Sequence, residues 1–216
     1  QAHTLEHVIF AAFTHPKAVE LAEKLSGLVP KGLCRFNFAD NGSSAVEMAL
    51  KIAFQYQAQC GQGQRIRFAC LSEGYHGETI GALSVGSLDL YSKLYKPMMM
   101  DNVHIEAPDC FRCPYGAKRG QCSLQCLKKA EEAFKQHGST LAALIVEPLL
   151  QGAAGMRVYP EGYLRALRLL CDRYGVLLIA DEIATGFGRT GSMFACARAS
   201  ISPDLMCLSK AITGGY

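Results

Sequence analysis

The chain has no tryptophan, and no apolar run reaches the roughly 18 residues that a membrane-spanning helix needs. It also lacks a strong charge of either sign. Its 22 basic and 19 acidic residues leave a net charge of +3. That bias is too weak to argue for nucleic acid or a membrane surface as partner. The first ten residues hold Glu6, His3 and His7 and no basic start. No signal peptide is therefore expected, and the expected compartment is the cytoplasm. Internal repeats, low-complexity segments and an evident linker are missing as well. A chain of 216 residues that is 50% hydrophobic and 19% charged is expected to fold around one sizeable core.

Cysteine, by contrast, is plentiful at ten residues. In a short secreted chain this number would suggest a disulfide framework. Here Cys34, Cys60, Cys70, Cys171, Cys196 and Cys207 are scattered through apolar or helical surroundings and read as buried thiols. The other four form Cys110-x2-Cys113-x8-Cys122-x3-Cys126. That spacing permits four thiolates around zinc, although a compact loop with thiols is the plainer reading. The loop from Ala107 to Cys122, rich in Pro, Gly and Cys, reads as a surface insertion.

Helical periods alternate with short apolar runs. Helices are expected over Ala18–Leu28, Ser43–Gln59, Leu124–His137 and Glu161–Tyr174. The second carries Val46, Leu50, Ala53 and Phe54 on one face. The last follows Pro160, with Gly175 as its stop. Strands are expected over Phe68–Leu71, Ala142–Val146, Val176–Ala180 and Leu205–Leu208. Helix and apolar strand in alternation imply an α/β fold with a mainly parallel sheet covered on both faces. In such sheets ligands sit beyond the carboxyl ends of the strands, so chemistry is sought in the residues that follow each strand.

Asp181 follows one such strand. A carboxylate there pairs with a cation, takes a raised pKa, or caps the next turn. Glu182 is its neighbour and points the opposite way on an extended backbone, so the two are not an acid/base pair. Lys210 lies 29 positions after Asp181, past the apolar stretch Leu205–Leu208. Alone it reads as a surface charge; in its uncharged surroundings a buried amine would have the lowered pKa that imine chemistry needs. Asp40-Asn41-Gly42-Ser43-Ser44 precedes a helix. It is an ordinary cap by itself and an anion site in the right company. Gly74-Tyr75-His76-Gly77 follows a strand. There Tyr75 could lie against a flat cofactor, whereas on its own His76 reads as a satisfied structural histidine. Thr185-Gly186-Phe187-Gly188-Arg189-Thr190-Gly191 lacks the spacing of a dinucleotide fingerprint and reads as a shaped loop beside the site.

Together, Asn41 to Glu47, Gly74-Tyr75-His76-Gly77, Glu147-Pro148, Asp181 to Gly191 and Ser209-Lys210 resemble the class III pyridoxal-phosphate-dependent aminotransferases of fold type I. The likeness covers essentially the whole chain. Gln151 to Met156, Cys207 to Gly215, and His7 to Phe10 with Thr14-His15 resemble the branch that serves biotin biosynthesis. So does Ala184, where many relatives carry Gln.

The resemblance implies a three-layer αβα large domain over residues 1–216 and pyridoxal 5′-phosphate as cofactor. It implies that Lys210 bonds to the cofactor aldehyde and moves the proton, and that Asp181 keeps the pyridine nitrogen protonated. Gly42 and Ser43 would bind the phosphate, Tyr75 would stack on the ring and meet substrate, and Ile183 would pack on the opposite face. Glu147 is expected near the site without an assigned role, and no metal is assigned there. The implied reaction moves an amino group from S-adenosylmethionine (lysine in some relatives) to 8-amino-7-oxononanoate. The implied assembly is a homodimer acting on small molecules. Because the family continues well past its cofactor lysine, an internal fragment is expected, without the upstream segment or the small C-terminal domain.

Overall fold

The computed structural model describes residues 7–118 and 120–214. The expectations that rest on residues 1–6 and on Gly215 lie outside them.

Five strands form one parallel sheet: β1 (Arg67–Leu71), β2 (Val103–Ile105), β3 (Leu141–Val146), β6 (Leu177–Asp181) and β7 (Leu205–Cys207), in the order β2-β1-β3-β6-β7. Two further short strands, β4 (Leu150–Gln151) and β5 (Arg157–Val158), pair antiparallel beside it. The register sets Val146 opposite Ala180 and Asp181 opposite Cys207, so the carboxyl ends of the central strands line up along one edge.

Side chains alternate across the sheet with period two. Ala69 and Leu71 of β1, Leu144 and Val146 of β3, and Leu178 and Ala180 of β6 enter one core. It is closed by α5 (Leu127–His137) and α6 (Glu161–Tyr174) through Ala130, Phe134, Leu164 and Leu167. Phe68 and Cys70, Ala143 and Ile145, and Ile179 enter the other. That second core is closed by α2 (Gly42–Gln59) and the short α3 (Ile80–Ser84) through Val46, Leu50, Ala53 and Ala82. The result is the three-layer αβα arrangement. Helix α1 (Pro16–Ser26) and the short α4 (Asp89–Ser92) and α7 (Ala195–Arg198) complete the α-helices of the described residues, which also hold 3-10 turns at Lys93–Met98 and Lys210–Ile212.

Most elements lie within a few residues of their expected bounds. Helix α6 runs from Glu161 to Tyr174 after Pro160, and Gly175 ends it in the left-handed region at φ 63°. Strand β2 escapes the sequence reading because it has three residues, with His104 exposed between Val103 and Ile105. Phe54 does not join Val46, Leu50 and Ala53: it is exposed, while Ala49 and Gln57 take the buried stripe. Two cysteines also depart from expectation. Cys34 and Cys60 are exposed, whereas Cys70, Cys171, Cys196 and Cys207 are buried.

The amino-terminal ends of the strands are fastened by long side chains that reach backbone carbonyls. Arg65 donates to Gly138 O at 2.8 Å, Leu141 O at 3.0 Å and Tyr174 O at 2.9 Å. Buried Gln57 donates to Ala142 O at 3.1 Å and Gly175 O at 3.2 Å. These contacts tie the first residues of β3 to the carboxyl ends of α5 and α6.

Candidate functional site

The carboxyl edge of the sheet carries a different kind of residue. Asp181 ends β6 and is buried. Its Oδ2 lies 2.7 Å from His76 Nδ1, and its Oδ1 accepts the Ile183 N–H at 3.1 Å. The His76 side chain is only 1% exposed. Burial by itself lowers the pKa of His76. The Asp181 hydrogen bond, with the charges of Asp181 and Glu147, outweighs it, and the net direction is up. The pair is thus a buried carboxyl group and a buried imidazole held together at the sheet edge, a contact that favours the protonated ring. This is the main site feature that sequence reasoning missed. Its signal was the place of His76 inside the Gly-Tyr-His-Gly run, immediately after a strand.

Glu147 follows β3 and anchors the same run. Its Oε1 accepts the Tyr75 N–H at 3.1 Å, and its Oε2 accepts the Gly152 N–H at 2.9 Å. Burial raises its pKa, partly offset by His76 and these two N–H groups. The residue that sequence reading left without a role is therefore a brace for the Tyr75 loop. Half-buried Tyr75 donates its hydroxyl to Glu78 Oε1 at 3.1 Å, and its ring lies 5.0 Å from that of Tyr91.

Helix α2 starts beside this loop. Asn41 caps it, accepting the Ser44 N–H at 3.0 Å. Among the described residues, no acceptor faces the N–H groups of Gly42 and Ser43. Gly77, at φ 124°, lies so close to Ser43 that a Cβ there would come within 2.2 Å of Ser43 Oγ. Ser43 Oγ in turn accepts the Glu78 N–H at 3.3 Å. Gly42 packs on the other side, less tightly: a Cβ there would stand 3.0 Å from Ile183 Cδ1 and 3.5 Å from Ser209 Cβ. Gly42, Ser43, Tyr75, Asp181 and Ile183 thus form one connected cluster, with Ser209, the neighbour of Lys210, at its margin.

Lys210 begins a single 3-10 turn, Lys210–Ile212, just beyond β7. Its φ is 48°, in the left-handed region, and its side chain is exposed. The buried amine of the sequence reading is not what the structure shows: the strand ends at Cys207, and the turn carries Lys210 outward. Glu182 turns away from Asp181, as the alternation requires. It accepts from Thr185 Oγ1 at 2.6 Å, Ala195 N at 3.0 Å and Cys196 N at 2.8 Å, and so fastens both the glycine loop and the start of α7.

The four clustered cysteines lie at another margin. Cys110, Cys113 and Cys122 line a cleft of about 1290 Å³ that also involves Arg157 and Arg189 and does not include Asp181. Among the described residues, no three His, Cys, Asp or Glu side chains are gathered to hold a metal ion. Burial, together with neighbouring Cys122, Cys110 and Cys113, pushes the Cys126 thiol up to about 11.

The aminotransferase class-III family matches residues 1–216. The chain belongs to that family. A curated relative, the adenosylmethionine-8-amino-7-oxononanoate aminotransferase of Geobacter sulfurreducens, is 46% identical over all of this chain and 48% of its own length. The solved enzyme of that name from Methanocaldococcus jannaschii superposes with a TM-score of 0.87 at 34% identity, over 97% of this chain and 46% of that one. An amine transaminase from an uncultivated Pseudomonas species, solved in its PLP-bound form, gives a TM-score of 0.88 at 39% identity, over 97% of this chain and 48% of that one. The chain therefore spans about half the length of the relatives it matches, and its α/β fold is that of these transaminases.

Proposed function

We propose that this chain is the pyridoxal-phosphate-holding large domain of an aminotransferase. Its reaction moves an amino group from S-adenosylmethionine to 8-amino-7-oxononanoate, giving 7,8-diaminononanoate for biotin biosynthesis. The observation that carries the reading is the buried Asp181–His76 pair standing beside the start of α2 at the carboxyl edge of the sheet.

The donor set fits the cofactor. A buried carboxyl group fixed by a histidine suits a protonated pyridine nitrogen. N–H groups at the start of an 18-residue helix suit a phosphate. A lysine that follows the neighbouring strand supplies the amine for an aldehyde. When bound, the cofactor supplies the electron sink that lets an amino group leave one carbon and join another. The chain's own residues do the rest. Asp181 holds a negative charge at the ring nitrogen, and His76 keeps that charge in place. Gly42 and Ser43 would hold the phosphate, and Ile183 would pack against the ring. Tyr75, braced by Glu147 and Glu78, borders the other face and the substrate. Lys210 would supply the amine that bonds to the cofactor aldehyde and, once released, would act as the base that moves the proton.

The lengths of the relatives support residues beyond this chain, including a small C-terminal domain. Exposed Phe10, Phe13, Phe38, Ile52 and Phe54 support further covering of this domain, which we assign to those residues and to a second subunit in a homodimer. Buried thiols support a reducing cytoplasm. Among the described residues no helix is long and apolar enough to cross a membrane.

In the full-length protein, Lys210→Ala should abolish the absorbance of lysine-linked pyridoxal phosphate. Retention of that absorbance would sink the assignment. A second reading, transfer from a simple amine, is favoured by the PLP-bound amine transaminase structure and opposed by Ala184. A donor screen separates the two: turnover with amines but with neither S-adenosylmethionine nor lysine would replace the first reading by the second.

A further inference from the structure

Gln151 stands at the end of β4 and is 1% exposed. Its Nε2 donates to Ser72 O at 2.9 Å, but its Oε1 is buried without a hydrogen-bond partner among the described residues. A buried acceptor without a hydrogen bond is costly, so its position calls for a donor. His76 offers one. Its Nδ1 is engaged by Asp181, which leaves the Nε2 end of a buried ring.

Gly74 brings the two side chains to one place. A Cβ at Gly74 would stand 3.2 Å from His76 Nε2 and 3.8 Å from Gln151 Nε2. Both polar ends therefore border the space that the glycine leaves empty. The last torsion of a glutamine is soft, so a partial rotation of the amide brings Oε1 toward the ring; a full flip would set Oε1 against Ser72 O in place of the Nε2 donor.

We propose that Gln151 is a positioning residue, the third member of a buried chain Gln151–His76–Asp181. Its Oε1 accepts the Nε2 proton of His76 and holds the imidazole doubly protonated against Asp181. An imidazolium has two N–H groups and needs two acceptors when buried. Asp181 is one, and Gln151 is the neutral second. The charged groups that act on His76 are Asp181 and Glu147, and their pull exceeds the opposing effect of burial. A neutral amide completes the set without adding a third negative charge to a crevice that already holds two carboxyls. The consequence for catalysis rests on the proposed function: a protonated His76 keeps Asp181 an anion where the cofactor nitrogen is to be held.

The test is a side-chain titration of His76 by nitrogen-15 histidine NMR in the full-length protein, free of cofactor and loaded. Gln151→Leu should weaken proton binding at His76 tenfold or more. Gln151→Glu, which keeps an acceptor, should leave His76 protonated to at least as high a pH. In the loaded enzyme, Gln151→Leu should lower kcat on the alkaline side with little change in substrate KM. If Gln151→Leu does not fold, Gln151→Asn withdraws the amide by one methylene and reads the same quantity. An unchanged His76 titration in a folded variant of either kind overturns the proposal. The lysine assignment fails separately, because Lys210→Ala has no bearing on that titration.

Discussion

The two edges of the sheet solve opposite problems. At the amino-terminal edge, Arg65 and Gln57 spend five hydrogen bonds on backbone carbonyls, and no buried carboxylate is involved. At the carboxyl edge, His76, Glu147, Asp181 and Glu182 are all buried and ionisable. The first edge fastens element ends to one another. The second gathers charges that water would otherwise solvate, a costly arrangement that persists only when each charge has partners. A parallel sheet allows this division because all its strands point the same way, so loops with chemical roles collect at one end.

The comparison breaks most visibly if the charge at one edge is removed. Asp181→Asn should lower kcat by at least about a hundredfold, in the range of lost acid–base assistance, measured in the full-length enzyme. If kcat were unchanged, the carboxyl edge would be structural like the other. Arg65→Ala should do the reverse. It should destabilise the fold by about 2–3 kcal/mol in denaturant titration, with cofactor affinity unchanged, because three carbonyls lose a charged donor. Gln57→Leu should cost less, about 1–2 kcal/mol by the same measurement, since two neutral hydrogen bonds go.

The smallest effect sharpens the contrast through pH. The folded pKa of His76 is raised, so its contribution to stability is complete below the ordinary histidine value of about 6.5 and is lost as pH rises through the folded value. Raised Glu147 works in the same direction from its own, lower, starting value. The melting temperature should therefore decline from neutral toward alkaline pH, and His76→Asn should flatten the slope. An equally steep slope in that variant would place its source elsewhere.

Much of this was legible in the sequence. The alternation of 3.6-residue and apolar runs placed four of the five sheet strands, and α6 was bounded to the residue by Pro160 and Gly175. Buried parallel strands are read easily because both faces are apolar. Strand β2 was not legible, since its three residues are set by pairing with β1 and carry an exposed His104. The resemblance drew Gly42, Ser43, Tyr75, Asp181, Ile183 and Lys210 into one site, and the structure gathers the first five. The partner of Asp181 lies 105 positions away in the chain, and no local pattern joins two residues that a strand crossing brings together. The exposure of Phe54 was likewise invisible, because a periodic stripe shows that a helix has an apolar face but not how far that face is covered.

The contact of Gly77 with Ser43 has a consequence for heredity. Every missense change of a glycine codon adds a side chain, and at position 77 the first added atom would fall 2.2 Å from Ser43 Oγ on a backbone at φ 124°. Any such change is strained both by that contact and by the backbone angle, and trimming Ser43 relieves only the first. The Tyr75 loop and the head of α2 therefore restrict one another's sequence at positions 77 and 43.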